Sequence, residues 1–191
     1  GANNMNVVFV LDGYISDIKS VRSEVDVPII GIIKQIYEGS DVYITPTLDE
    51  VKALIDSPCD VIALDCTLRA RPKETLEELV KYIRANAPSM AIMADCDNLE
   101  SAAEADRLGF DYIGTTMRGY TQATKGMEIP DYDFIARLVE LYPDRRIIAE
   151  GGIWERGQLD RVWSLGVYAV VIGSAITRPM DITKRFAQVI K

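Results

Sequence analysis

The sequence contains no histidine. That absence removes the imidazole-dependent nucleophile schemes, Ser-His-Asp and Cys-His alike. Acid–base work must then fall to lysine, aspartate, glutamate, tyrosine or cysteine. A zinc site would also need unusual ligands, because the three cysteines, Cys59, Cys66 and Cys96, lack metal-ligand spacing. Their odd number argues against a disulfide framework, and they read as reduced thiols of a cytoplasmic protein. No apolar run reaches the ~18 residues of a membrane-spanning helix, so no membrane partner is expected. Gly1 to Asn6 lacks the charged-then-apolar order of a signal peptide. Basic residues are outnumbered, 21 against 29 acidic, and the net charge of −8 argues against a nucleic-acid partner. The glycine-rich G-x-G-x-x-G turn of dinucleotide-binding folds is missing as well.

What is present is a repeating pattern. The 191 residues, 48% of them hydrophobic, suit one domain spanning 1–191 with a sizeable core. Seven short apolar runs recur: Val7–Leu11, Pro28–Ile33, Val61–Leu64, Ala91–Ala94, Tyr112–Gly114, Ile147–Ala149 and Ala169–Ile172. They are near-continuously hydrophobic, as strands buried on both faces should be. Helical spacing fills the intervals. Leu76, Leu79, Val80 and Ile83 form one stripe, and Ile135, Leu138, Val139 and Tyr142 another. Leu159, Val162 and Trp163 make a shorter one, and Ile182, Phe186, Val189 and Ile190 the last. Thr47 to Glu50 reads as a capping box ahead of Val51 and Leu54. Gly109 and Gly166 stand where helices should stop. Alternating β and α segments imply a parallel sheet with right-handed crossovers. Even spacing and polar strand ends favour a TIM-type (β/α)8 barrel over an open doubly wound sheet, although only seven of the eight units are readable.

Ligands of parallel α/β folds bind at the carboxyl ends of the strands. The residues ending the seven runs are Asp12, Lys34, Asp65, Asp95, Thr115 with Thr116, Glu150, and Gly173 with Ser174. A rim with one lysine and several carboxylates suits proton transfer on a polar substrate. Asp12, Asp65, Asp95 and Ser174 also suit plain capping of the next turn. Lys34, emerging from a buried strand, and Glu150 favour function over structure. Gly151-Gly152 and Gly173-Ser174 close the last two strands, where barrels commonly hold phosphate, and Arg178 adds a cation. Thr116 to Tyr132 is long enough to be a lid or a merely irregular surface segment. Arg69 and Arg71 suit either an anionic substrate or solvated positions before a helix. Cys66 and Cys96 read as small buried filler.

The chain resembles the bacterial N-acetylmannosamine-6-phosphate 2-epimerase family. The resemblance rests on PIIGIIK (Pro28–Lys34), DVYITPT (Asp41–Thr47), VIALDCT (Val61–Thr67), IMADC (Ile92–Cys96), LGFDYIGTTMRGYT (Leu108–Thr121), IIAEGGI (Ile147–Ile153) and VIGSAITRP (Val171–Pro179). It implies a TIM barrel with no metal or redox cofactor, interconverting N-acetylmannosamine 6-phosphate and N-acetylglucosamine 6-phosphate by inversion at C2. It further implies that Lys34 and Glu150 are the catalytic pair and that Asp95 contacts the substrate, with Asp65 and Thr116 beside it. Gly152, Gly173, Ser174 and Arg178 would hold the phosphate. The sequence departs from the family pattern in three places. A first strand–helix unit with its S-C-Q motif has no counterpart, Leu11 stands where the family has an arginine, and Gln35-Ile36 replaces Arg-Asp after Lys34. A longer gene product, a partner chain such as a second copy, or a degenerate sugar-phosphate binder would each account for the missing unit. A pentose-phosphate epimerase is the more distant alternative, since it would call for histidines and a metal.

Overall fold

Apolar runs too short for helices and buried on both faces become strands, and the periodic segments between them become helices, in strict alternation. A computed structural model of the chain describes residues 9–12 and 15–190, the first four as backbone only. The expectations for Gly1–Asn6 and for the Leu11 and Asp12 side chains lie outside the described residues. In chain order the elements are β1 (Phe9–Asp12), α1 (Ile15–Glu24), β2 (Ile29–Ile32), α2 (Leu48–Ile55), β3 (Val61–Asp65), α3 (Leu76–Asn86), β4 (Ala91–Asp95) and α4 (Leu99–Arg107). Then follow β5 (Tyr112–Gly114), α5 (Tyr132–Leu141), β6 (Arg146–Glu150), α6 (Arg156–Ser164), β7 (Ala169–Val171), α7 (Ser174–Thr177) and α8 (Pro179–Ala187). The strands form one sheet in the order β1 to β7, every neighbour parallel. Among the described residues β7 and β1 share no ladder. The architecture is a partial (β/α) barrel.

Side chains of a strand alternate between its two faces, and here the alternation sorts them into two cores. Ile29, Ile62, Leu64, Ile92, Ala94, Ile113, Ile147 and Ala149 point outward and pack under helix residues such as Leu54, Leu79, Ile83, Phe134 and Leu138. Ile30, Ile32, Val61, Ala63, Met93 and Ile148 point inward and meet one another, which requires the sheet to curl around them. Gly31 marks one tight outward contact, since a Cβ there would lie 2.9 Å from Leu54 Cδ2.

The helix punctuation follows local chemistry. Thr47 caps α2 and receives the reciprocal bond of a capping box, its N–H donating to Glu50 at 2.9 Å. Gly109 and Gly166, with φ of +74° and +87°, follow α4 and α6 in the left-handed conformation that glycine adopts cheaply. Two stripes differ from expectation. Trp163 is exposed while Val162 beside it is buried. The last stripe forms a helix, but Phe186 is 72% exposed, and Val189 and Ile190 fall beyond its end and are also open. Periodicity specifies a helix and its apolar side; it does not supply a neighbour, and among the described residues no element covers this side of α8. No described helix is long and apolar enough to cross a membrane.

Candidate active site

The inward parity that places Ile30 and Ile32 in the inner core carries on to Lys34, two residues beyond β2. The same count takes Met93 to Asp95, Ile148 to Glu150, and Tyr112 through Gly114 to Thr116. Strand geometry therefore aims these four side chains at the mouth of the curled sheet. They line one cavity of about 730 Å³, together with Gly152, Gly173, Ser174 and Arg178. Of the nine expected site residues, the structure brings these eight together.

Asp65 is the ninth, and its placement corrects the expectation of a substrate contact. Its carboxylate is 0% exposed and does not line the cavity. Arg69 pairs with it at 2.6 Å, and Thr67 donates to it through both backbone N–H (3.0 Å) and hydroxyl (2.6 Å). Burial pushes the Asp65 carboxyl up, against the lowering effect of Thr67 and Arg69. Arg69 and Arg71 are neither solvated nor free for an anionic ligand. Arg71 donates to the carbonyls of Asp65 (2.7 Å), Thr45 (3.0 Å) and Pro46 (3.2 Å), clamping the β2–α2 connection over β3. Thr45, at φ +44°, sits in a conformation unfavourable for a β-branched residue, and this clamp helps hold it.

That connection is where sequence reasoning missed cavity residues. Lys34 pairs with Ile44 in an isolated antiparallel bridge, flanked by Gln35 N–H to Tyr43 O at 3.0 Å and Thr45 N–H to Ile33 O at 2.8 Å. The return brings Tyr43 to the cavity wall, with the Lys34 ammonium 6.0 Å from its ring centre. Trp154 and Arg185 also line the cavity, their cation–ring distance being 5.4 Å. Arg185 lies in the last turn of α8, within the last apolar stripe, and pairs with Glu155; no signal in the sequence marked it.

The centre of the site is a cluster of carboxyl groups. Asp95 is 2% exposed and Glu150 half-buried. The Thr116 hydroxyl stands between them, 2.7 Å from Asp95 Oδ1 and 3.1 Å from Glu150 Oε2. Burial, then the neighbouring Glu150 charge, pushes Asp95 well above the usual carboxylate range. Burial also raises Glu150, with Thr116 and the Lys34 charge opposing it. Cys96 behind the cluster is pushed well up by burial, and Cys66 and Cys59 are likewise buried free thiols. Among the described residues no group of three or more His, Cys, Asp or Glu side chains is arranged to hold a metal.

The connection from Thr116 to Tyr132 is tied down rather than loose. Arg118 pairs with Asp131 at 2.7 Å and donates to Asp97 O at 3.0 Å. The Thr121 hydroxyl donates to Asp97 at 2.6 Å. Gly152, at φ +73°, presses on this connection: a Cβ would lie 2.4 Å from the Ile129 carbonyl carbon and oxygen.

Residues 7–191 match the family model NanE, described as "Putative N-acetylmannosamine-6-phosphate epimerase". The chain belongs to this family. A Staphylococcus carnosus relative named "Putative N-acetylmannosamine-6-phosphate 2-epimerase" is 52% identical over 177 residues, covering 92% of this chain and 79% of its own. A Staphylococcus aureus relative of the same name is 51% identical over the same coverage. The solved N-acetylmannosamine-6-phosphate 2-epimerase of Clostridium perfringens is 40% identical, with TM-score 0.90 over 96% of this chain and 79% of that one. A thiamine phosphate pyrophosphorylase from Pyrococcus furiosus, at 18% identity and TM-score 0.59, shares the fold.

Proposed function

We propose that the cavity binds an open-chain N-acylamino-sugar 6-phosphate and epimerises it at C2, interconverting N-acetylmannosamine 6-phosphate and N-acetylglucosamine 6-phosphate. The observation that carries this reading is the position of Lys34 and Glu150. They follow β2 and β6, with β3, β4 and β5 between them, yet line one cavity. Two proton-transfer groups approaching from separated strands suit attack on opposite faces of one carbon, which inversion requires.

The chemistry follows from the groups present. The C1 carbonyl of the open-chain sugar acidifies the C2–H bond. One of the two groups removes that proton, and the electron pair moves into the C1 carbonyl to give an enolate whose C2 still carries the acylamino nitrogen. The other group returns a proton on the opposite face. An ammonium close to the developing oxyanion lowers the barrier electrostatically, and a raised carboxyl pKa makes Glu150 a stronger base. The 6-phosphate is assigned to the backbone of Gly152, Gly173 and Ser174 with Arg178, all on the cavity wall, and Arg185, held by Glu155, stands on the same wall. No metal or redox cofactor is called for. The free, buried thiols of Cys59, Cys66 and Cys96 support a reducing cytoplasm as the working compartment.

Incubation of either sugar phosphate with the protein in D₂O tests the proposal. Deuterium should enter C2, and Lys34→Ala and Glu150→Gln should each slow its entry by about 10²–10⁴-fold. Binding without exchange by the unaltered protein would mark a sugar-phosphate binder instead.

A further inference from the structure

The Thr116 hydroxyl has two carboxyl neighbours and one proton. It can donate to Asp95 Oδ1 at 2.7 Å or to Glu150 Oε2 at 3.1 Å. The contact it does not donate to is a meeting of oxygen lone pairs unless that carboxyl carries a proton and donates in turn. Two arrangements satisfy every atom. In one, Asp95 is ionised and Glu150 protonated; in the other, Asp95 is protonated and Glu150 ionised. Each contains one carboxyl proton, and moving from one to the other shifts two hydrogens along the chain without changing net charge.

The surroundings choose between them. Asp95 is 2% exposed and faces two other carboxyl groups, Glu150 and Asp65. Glu150 is half-buried and its charge is favoured by the Lys34 ammonium; the same ammonium acts on Asp95, where burial, Glu150 and Asp65 oppose it. Among the described residues the other charged or titratable groups on the cavity wall are Tyr43, Tyr120, and on the β7 side Arg178 and Arg185, which pair with Asp181 and Glu155. Asp65 is balanced by Arg69. Negative charge is therefore costlier on Asp95 than on Glu150.

We propose that Asp95 and Glu150 hold one proton between them through the Thr116 hydroxyl, with Asp95 neutral and Glu150 ionised, so that Thr116 is a positioning residue for Glu150 rather than a ligand of the substrate. Asp95 donates to Thr116 Oγ1, and Thr116 donates to Glu150. Glu150 thus keeps its negative charge beside a second carboxyl group, in a fixed orientation and ready to accept a proton. The functional part of this inference rests on Glu150 being a proton-transfer group in the proposed epimerisation; the shared proton itself does not.

Carboxyl ¹³C NMR titration of the whole labelled protein tests it, with Asp95→Asn and Glu150→Gln assigning the two signals. At neutral pH the Asp95 signal should be that of a carboxylic acid and the Glu150 signal that of a carboxylate. Thr116→Val, which keeps the shape and removes the hydroxyl, should raise the Glu150 midpoint by about one pH unit. The acid limb of kcat/KM should move up with it, and kcat should fall at least tenfold while KM changes less than threefold. Thr116→Ser should restore both midpoint and limb. Two ionised carboxylates at neutral pH in the unaltered protein would overturn the shared proton. So would a Thr116→Val variant whose titrations are unchanged and whose KM alone rises, because that is the behaviour of a substrate contact. If the unaltered protein exchanges no deuterium at C2, the epimerase reading fails, and the titration still decides the shared proton independently.

Discussion

Thr115 holds the backbone of Glu150 at both ends. Its hydroxyl donates to Glu150 O at 2.8 Å and accepts from Glu150 N–H at 2.9 Å. Adjacent threonines thus divide the work, Thr115 fixing the Glu150 main chain from β5 and Thr116 meeting its carboxylate.

Thr115→Val should therefore damage catalysis more than binding. Losing two hydrogen bonds to a partly buried backbone costs about 1–3 kcal/mol of stability. A Glu150 side chain released from its orientation should lower kcat about 10-fold or more, with KM within a factor of a few. Denaturant melts and steady-state kinetics on one preparation read both effects.

The stability contributed by Asp95 and Glu150 should fall as pH rises through the acid range into neutrality. Asp95 and Glu150 have folded-state pKa values raised above their ordinary ones, so the folded chain retains protons that the unfolded chain has released. Each such group favours the fold fully below its unfolded pKa, and that advantage is lost as pH rises toward the folded value, by about 1.4 kcal/mol per pH unit. Asp95→Asn cannot ionise and escapes this loss. Its melting temperature should match that of the unaltered protein near pH 4 and exceed it by a few degrees near pH 8. A gap that does not widen with pH would contradict the raised Asp95 value.

Gly152→Ala should disturb, from behind, the end of the cavity proposed to take the phosphate. The new Cβ would meet the Ile129 carbonyl at 2.4 Å and Pro130 N at 2.7 Å, from a residue already at φ +73°. Backbone must yield, and overpacking of this kind costs about 1–3 kcal/mol before the left-handed conformation is counted. Thermal melting should drop, and KM for the sugar phosphate should rise more than kcat falls.

The parallel barrel was legible because strands buried on both faces leave unbroken apolar runs, and Ile29 to Ile33 could hardly be anything else. Lys34 and Glu150 were legible for the same reason: each ends such a run with a charge. Helix α4 was marked only by the glycine at its end, Gly109, because its buried face is Ser101, Ala102 and Ala105, too small to register as an apolar stripe. Asp65 looked like Asp95 in sequence, both ending an apolar run before a cysteine. What separates them is Arg69, four residues on, folding back onto one carboxylate and leaving the other to Thr116. Tyr43 reaches the cavity through a chain reversal stabilised by contacts distant in sequence, and no local pattern encodes that. The bare side of α8 was equally unreadable, because exposure depends on neighbours.

Among the described residues β7 is paired on one side only, and this gives the described sheet an uneven resilience. Lys34, Asp95, Thr116 and Glu150 stand on or just beyond strands flanked on both sides, whereas Gly173, Ser174 and Arg178 follow a strand that, among the described residues, only β6 supports. Mild heat or denaturant should loosen that margin before it reaches Lys34 and Glu150, so the proposed anchor for the sugar's charged tail should give way while the groups proposed to act at C2 still stand.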